Sequence, residues 1–478
     1  MLVGGRDVEA ANAATFERHS PVSGMLVTVA AAATVADAAA AADAAAAAFP
    51  EWSKTNPGVR RTLLERAAQL VLAREEELAA AMTAETGATR EWCAFNVAIS
   101  AKIFLETAAM TTQIGGQVIP TDCAGRTSMA FRQPAGVCFA IAPWNAPVLL
   151  GVRSIAMALA CGNTVVLKSS ELCPATHRLI GDVLAEAGLP AGVLNIVSNA
   201  PADASAIVET LIAHPVVRRI NFTGSTRVGR IIAQSAARHL KRCLLELGGK
   251  AAFIVLDDAD LDEAVAAAAF GAFFNQGQIC MSTERIIVLD GIADAFVERF
   301  LAKARSLRAG DPALGDLPLG GLVTAESARR VRGLVDDAVA KGAVVLSGGD
   351  NHDAFMDATV IDHVTRAMRL YHEESFGPVA AIIRVGSLEE AITVANDCEY
   401  GLSAAVFSRD IGRALDVARQ IESGICHINS ATVCDEPQIP FGGVKASGYG
   451  KFGGPAALDE FTELRWITIS GGQEEYPI

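Results

Sequence analysis

An α/β protein built on parallel sheets is the fold this sequence predicts, on three observations. Short apolar runs without polar alternation, such as Val165-Val166-Leu167, alternate with helical stretches of about a dozen residues. Glycine and proline punctuate the junctions, as at Gly162, Gly188 and Pro190. The chain has 478 residues, 51% of them hydrophobic, enough to bury a large core in two or three domains. Strands alternating with helices of this length mean βαβ units, and parallel strands covered on both faces need no polar side.

In order along the chain, the pattern predicts strands at 136–144, 164–168, 193–197, 219–222 and 243–247. Helices at 148–161, 174–187, 202–213 and 226–239 connect them. A second alternation runs from 251 to about 397, with strands at 252–256, 285–289, 344–347 and 380–384. A final strand at 464–469 follows a Gly-rich loop and does not easily rejoin either sheet; pairing with another subunit and a simple edge position are both open. The Ala-rich stretch 30–49 is interrupted by Asp37 and Asp43, which fits an amphipathic surface helix better than a membrane span.

Composition narrows the partners. A net charge of −14 argues against nucleic acid or an anionic membrane. Ten cysteines are too few for a disulfide scaffold, and without a C-x-x-C pair neither zinc nor thioredoxin-like chemistry is expected. No secretion signal opens the chain, so free thiols in a reducing cytoplasm are the expectation.

Cys280 is the most informative residue. It ends the run Phe273-Phe274-Asn275-Gln276-Gly277-Gln278-Ile279-Cys280, read as the close of an apolar helix. It follows the acid of Glu246-Leu247-Gly248-Gly249-Lys250, which ends a predicted strand. An ionised thiol can attack a carbonyl carbon, and a nearby carboxylate can then activate water against the adduct. Taken singly, Cys280 is one of ten cysteines, and most free cysteines are inert core residues.

Other strand ends carry candidate groups, each with a structural alternative. Gly224-Ser225 opens a helix after a strand, so it can cradle a phosphate or simply cap a turn. Lys168 and Glu171 can hold the hydroxyls of a ribose or form a solvated loop pair. Asn145, after Trp144, can donate to an oxyanion or serve as a turn residue. The formal G-x-G-x-x-G at Gly448–Gly453 follows a loop and leads into no sustained helix, so it is rejected as a phosphate site. Asp258, Asp260 and Asp262 imitate a calcium loop, but Glu263 and Ala269 stand where that loop needs Gly and Glu; a helix start capped by Asp260 explains them better. What changes the odds is conjunction: Asn145, Lys168, Gly224-Ser225 and Glu246 all fall at carboxyl ends of one predicted sheet.

With these residues in place the chain resembles the aldehyde dehydrogenase superfamily over nearly its whole length. Seven ordered motifs carry the likeness: Pro143-Trp144-Asn145, Lys168 with Glu171, Phe222-Thr223-Gly224-Ser225, Glu246–Lys250, Gly277–Cys280, Glu374-Ser375-Phe376-Gly377-Pro378 and Pro440-Phe441-Gly442-Gly443. Cys280–Arg285 and Glu460–Leu464 are similar to the salicylaldehyde and vanillin dehydrogenases, whose substrates are aromatic aldehydes. The resemblance implies a Rossmann-like NAD-binding domain (1–116 and 136–246), an α/β catalytic domain (247–455) and a small β oligomerisation element (117–135 and 456–478).

By the same resemblance Cys280 is the nucleophile, Glu246 the general base, and Asn145 with the Cys280 backbone N–H the oxyanion hole. Lys168 and Glu171 would bind the adenosine ribose, Ser225 the pyrophosphate and Glu374 the nicotinamide ribose, with Phe376 beside it. Trp92, Arg153, Met281 and Cys426 are candidates for an aromatic-aldehyde pocket. NAD is implied over NADP because the Glu171 carboxylate would repel a 2′-phosphate. The implied assembly is a homo-oligomer, dimer or tetramer, and no metal is implied. Two departures stand out: Ser169-Ser170 replaces a common Pro-Ser, and Ser198-Asn199-Ala200-Pro201 replaces a Gly-rich turn, which puts adenine-side contacts there in doubt. Oxidation of aliphatic aldehydes or semialdehydes, a CoA-acylating reaction and a non-catalytic binding protein are the alternatives.

Overall fold

The computed structural model describes residues 1–315, 317–471, 476 and 478. An eight-stranded sheet runs in the order Arg6–Asp7, Leu2–Val3, Leu194–Val197, Thr164–Lys168, Val137–Ile141, Val217–Thr223, Arg242–Glu246, Gly448–Tyr449. The five central strands are parallel, as their unbroken apolar runs predict, and antiparallel pieces close both edges. Side chains alternate between two cores: Cys138, Ala140, Val165 and Leu167 face one, and Val137, Phe139, Ile141 and Val166 face the other. Strand order steps outward from Val137–Ile141 to Leu194–Val197, then returns to place Val217–Thr223 on its other side. Such a switch point is where open α/β sheets bind ligands, outside the strands' carboxyl ends.

The second sheet has seven strands, in the order Val344–Ser347, Thr359–Asp362, Val379–Val385, Thr283–Leu289, Ala251–Val255, Ser403–Phe407, Ile425–Ile428. All but Val344–Ser347 are parallel. It extends beyond the predicted limit near residue 397 by the last two strands. A third, antiparallel sheet joins Thr462–Ser470 to Arg126–Pro134 and Gly116–Ile119, so the terminal strand pairs within its own chain and, among the described residues, leaves its outer edge open. The tail of the predicted 456–478 element, 472–475 and 477, lies outside the described residues.

Two readings are refined and a third, the helix start capped by Asp260, is borne out. The Ala-rich segment divides: Ala30 and Ala31 end the strand Leu26–Ala31, and the helix is Val35–Trp52. Thr34 and Asp37 form a capping box at its start, and Ala38, Ala41, Ala42 and Ala45 are the buried stripe. Gly448–Tyr449 is a short strand on the first sheet although it lies within 247–455; Gly448 is pressed so close to the Leu245 carbonyl that a Cβ there would sit 2.0 Å away. Asp260 caps the helix Leu261–Phe273, and Asp258 accepts from Ser408 and the Asp410 backbone. Among the described residues one helix, Arg90–Met110, is long and apolar enough to cross a membrane; it is largely buried, packed against the helices Pro57–Ala73 and Pro147–Ala160.

Candidate active site

Cys280 is presented by a strained turn rather than by a helix end. The helix stops at Phe273, and Asn275, Gln276 and Gly277 follow with φ of 49°, 55° and 70°. Two successive non-glycine residues in the left-handed region are costly, and they persist only where surrounding structure over-determines them. Here side chains do so. Asn275 Nδ2 donates to the Asn145 carbonyl at 3.1 Å, Gln276 Nε2 to the Gly321 carbonyl at 3.0 Å, and Ser282 Oγ to the Gly277 carbonyl at 3.0 Å. The Val323 N–H donates to Gln278 Oε1 at 3.0 Å. Gly249 passes so close that a Cβ would lie 2.3 Å from the Cys280 carbonyl oxygen, which explains glycine there.

Asn145 lies against this turn. Its Nδ2 donates to the Gln278 carbonyl at 3.0 Å, while its own carbonyl accepts from Trp92 Nε1 at 2.8 Å. An amide has two N–H groups, so one remains for a ligand oxygen. Glu246 ends its strand with 1% exposure, and among the described residues neither carboxylate oxygen has a hydrogen-bond partner. Asn145, Glu246, Cys280, Glu374 and Phe376 line one cavity of about 620 Å³.

A second cavity of about 540 Å³ adjoins it, sharing Pro143, Trp144, Thr223, Gly224 and Arg227. Lys168 and Glu171 line its polar side, paired at 2.6 Å, and Val208, Ile212, Ile231 and Ile232 its apolar side. Between the two halves the helix Thr226–Arg238 begins, with Ser225 as its N-cap accepting from the Val228 N–H. An apolar slot, a Lys–Glu pair, a helix N-terminus and a carboxylate beyond it fit an extended dinucleotide. Trp144 and Phe376 meet edge-to-face at 5.6 Å where the halves join.

Electrostatics follow from burial. Loss of water pushes the Glu246 carboxyl up to about 7, against smaller lowering effects of the Cys280 thiol and Arg153. Burial also pushes the Glu374 carboxyl up to about 8, although the Gly249 N–H donates to it at 2.9 Å. Burial and the neighbouring carboxylates hold the Cys280 thiol well above its ordinary range. Among the described residues no cluster of His, Cys, Asp or Glu is arranged to hold a metal ion.

The four predicted substrate-pocket residues sit apart from this cavity. Trp92 packs behind Asn145, stacked on Phe95 at 5.2 Å and edge-on to Phe274 at 5.0 Å. Arg153 pairs with Asp435, and its guanidinium lies 4.5 Å over the Phe441 ring. Met281 is buried in the core beside the first sheet. Cys426, on the strand Ile425–Ile428, packs against the second sheet's core, while its neighbour Ile425 packs against the core beside the first sheet. The sequence reading missed three groups. Asn199 Nδ2 donates to Glu171 Oε1 at 3.0 Å, from the segment that departs from the Gly-rich pattern. Arg330 donates to the carbonyls of Glu374 and Ser375. Lys250 and Glu284 form a buried ion pair at 2.6 Å.

Comparison with known proteins shows the family. The aldehyde dehydrogenase family model matches residues 8–467. The chain is 58% identical to a vanillin dehydrogenase of Pseudomonas fluorescens and 52% identical to a salicylaldehyde dehydrogenase of Pseudomonas sp. strain C18, in each case over 100% of this chain and 99% of the relative. A crystal structure of a salicylaldehyde dehydrogenase from Pseudomonas putida G7 complexed with salicylaldehyde superposes with a TM-score of 0.98 at 51% identity, covering 100% of this chain and 99% of that one. With the fold, the ordered motifs and the crevice all in agreement, the chain belongs to the aldehyde dehydrogenase family.

Proposed function

We propose that this protein oxidises aromatic aldehydes to carboxylic acids with NAD, by a hydrolytic route that needs no CoA. The observation that carries the reading is the convergence of Cys280, Glu246 and Asn145 on one cavity continuous with a dinucleotide-shaped crevice. A run of aromatic rings supports the substrate class. Exposed Phe270 stacks on Phe274 at 4.8 Å, Phe274 meets Phe95 and Trp92, and the Trp92 indole bonds to the Asn145 carbonyl. The named relatives act on vanillin and salicylaldehyde.

The Cys280 thiol gives up its proton to water, and the thiolate sulfur attacks the aldehyde carbon. As the S–C bond forms, the carbonyl π pair becomes an oxyanion held by the free Asn145 N–H and the Cys280 backbone N–H. Bound NAD supplies the acceptor for the hydride expelled as that oxyanion collapses to a thioester. Glu246 then takes a proton from water; the hydroxyl oxygen attacks the thioester carbon, the C–S bond breaks and the acid leaves. Among the described residues neither Glu246 oxygen has a hydrogen-bond partner, which leaves both for that water.

Lys168 and Glu171 take the adenosine ribose, Trp144 and Gly224-Ser225 border the pyrophosphate, and Glu374 with Phe376 takes the nicotinamide ribose. Glu171, held by Lys168 and Asn199, disfavours a 2′-phosphate and so selects NAD. The eight-stranded sheet is the cofactor domain and the seven-stranded sheet the catalytic domain. The third sheet, with an open edge and exposed Leu464, Trp466 and Ile469, is the oligomerisation element of a dimer or tetramer. A cytoplasmic location accords with ten free cysteines. The test is NADH formation without CoA across hydroxylated aromatic, benzaldehyde-type and aliphatic aldehydes. Higher kcat/KM for the aromatic members is expected; dependence on CoA or a preference for aliphatic aldehydes overturns the reading.

A further inference from the structure

We infer that Glu284 is a positioning residue, locking the loop that carries Glu374 and Phe376 onto the segment that carries Cys280. The inference rests on the proposed role of that loop in holding the nicotinamide end of the cofactor. Glu284 stands four residues after Cys280 and is 3% exposed. Its carboxylate accepts from Lys250 Nζ at 2.6 Å, the Ser375 N–H at 2.9 and 3.1 Å, Ser375 Oγ at 2.7 Å and the Phe376 N–H at 3.2 Å. Lys250 in turn follows Gly249, whose N–H donates to Glu374 Oε1 at 2.9 Å and whose Cα lies against the Cys280 carbonyl. A ring of contacts therefore closes from Cys280 through Glu284, Ser375–Phe376, Glu374 and Gly249 back to Cys280.

Two features argue that the ring serves the site rather than stability alone. A buried ion pair gives little net stabilisation over apolar residues of the same volume, because both charges must be desolvated. Here one carboxylate meets the lysine and also engages two backbone N–H groups of one loop. Moreover, that loop is strained: Phe376 has φ of 46°, and Gly277 of the strained nucleophile turn abuts the Gly377 carbonyl, which a Cβ would approach to 2.1 Å. Two strained turns, one bearing the nucleophile and one the cofactor contacts, are thus held face to face, with Glu284 fixing the second. Hydride transfer is steep in distance, and misplacement by 1 Å costs about 10²-fold.

The test compares wild type with Glu284→Gln and Ser375→Ala. It measures the NADH burst rate, steady-state kcat and KM for NAD, the calorimetric Kd for NAD without aldehyde, iodoacetamide alkylation of Cys280 and the thermal midpoint. Expected in Glu284→Gln are a burst rate lower by about 10²-fold and a weaker Kd for NAD, with the alkylation rate close to wild type and a lower midpoint, because Lys250 loses its buried counter-charge. Ser375→Ala, which loses only the hydroxyl contact, shifts the same two quantities less and is the decisive variant if Glu284→Gln does not fold. Unchanged burst rate and Kd overturn the inference, as does a fall in midpoint and alkylation with no separate loss of burst rate or Kd. If the wild type oxidised no aldehyde, the proposed activity would fail, while the aldehyde-free Kd comparison would still decide the role of Glu284.

Discussion

Replacing Glu246 by Gln separates the two halves of the proposed reaction. The amide matches the carboxylate in shape, and among the described residues neither wild-type oxygen has a partner within hydrogen-bond distance, the Cys280 thiol being the one weak donor that faces it. What disappears is a base whose carboxyl lies at about 7, close to the working pH, where a general base is most effective. Such a base contributes roughly 10²–10⁴-fold, about 3–5 kcal/mol of barrier. Hydrolysis of the thioester should slow by that factor while its formation survives. Stopped-flow NADH fluorescence should therefore show a rapid burst of about one NADH per Cys280, followed by a steady rate reduced at least about 10²-fold. In wild type the hydrolytic rate should fall about tenfold per pH unit below 7 as the carboxylate is protonated, and this dependence should be missing from the variant. A steady rate equal to wild type, or a retained inflection near 7 in the variant, would refute the assignment.

Cys280→Ala should form no NADH burst and no acid while folding normally; turnover near wild type would sink the nucleophile role. Asn145→Ala should lower the burst rate about 10²–10³-fold, the cost of one oxyanion donor, with the Trp92 bond kept because it goes to the Asn145 carbonyl; a normal burst would count against the hole. Glu171→Gln should raise kcat/KM with NADP relative to NAD by about tenfold or more, since it removes a like charge facing the 2′-phosphate; an unaltered ratio would place selectivity elsewhere. Stability should report Glu246 as well. Between pH 4.5 and about 7 the folded protein holds a proton that the unfolded chain releases, so stability falls as pH rises through that window, by about 3 kcal/mol in all. Glu246→Gln lacks this cost, so its thermal midpoint should match wild type near pH 4.5 and exceed it at pH 8; an equal difference at both pH values would contradict the burial argument.

Legibility in the sequence followed burial. The strands Thr164–Lys168 and Val137–Ile141 are covered on both faces and so carry long apolar runs, which place Lys168, Trp144 and Asn145 just beyond their carboxyl ends. Ser403–Phe407 and Ile425–Ile428 escaped notice because Ser403-Ala404-Ala405 and Cys426-His427 give little β signal; partners on the second sheet make them strands. The turn before Cys280 was also hidden. Asn tolerates the left-handed region and gave a hint at Asn275, but nothing local marks Gln276, which bonds to Gly321 far along the chain. The face that Cys426 takes was hidden for a related reason: one step along a strand reverses the face.

Glu246 and Glu284 show why donor supply, more than burial, decides what a carboxylate does. Both lie on neighbouring segments, 1% and 3% exposed. Glu284 is met by Lys250, two backbone N–H groups and a hydroxyl, so its lone pairs are committed to holding the Ser375–Phe376 loop. Glu246 meets no such donors, and the same desolvation goes into raising its proton affinity instead. Giving Glu246 a backbone N–H would stabilise the fold and weaken the base; depriving Glu284 of its donors would free a base and loosen the cofactor loop. The site needs one of each, and the backbone path from Gly249 past Cys280 to Glu284 is what keeps their surroundings different.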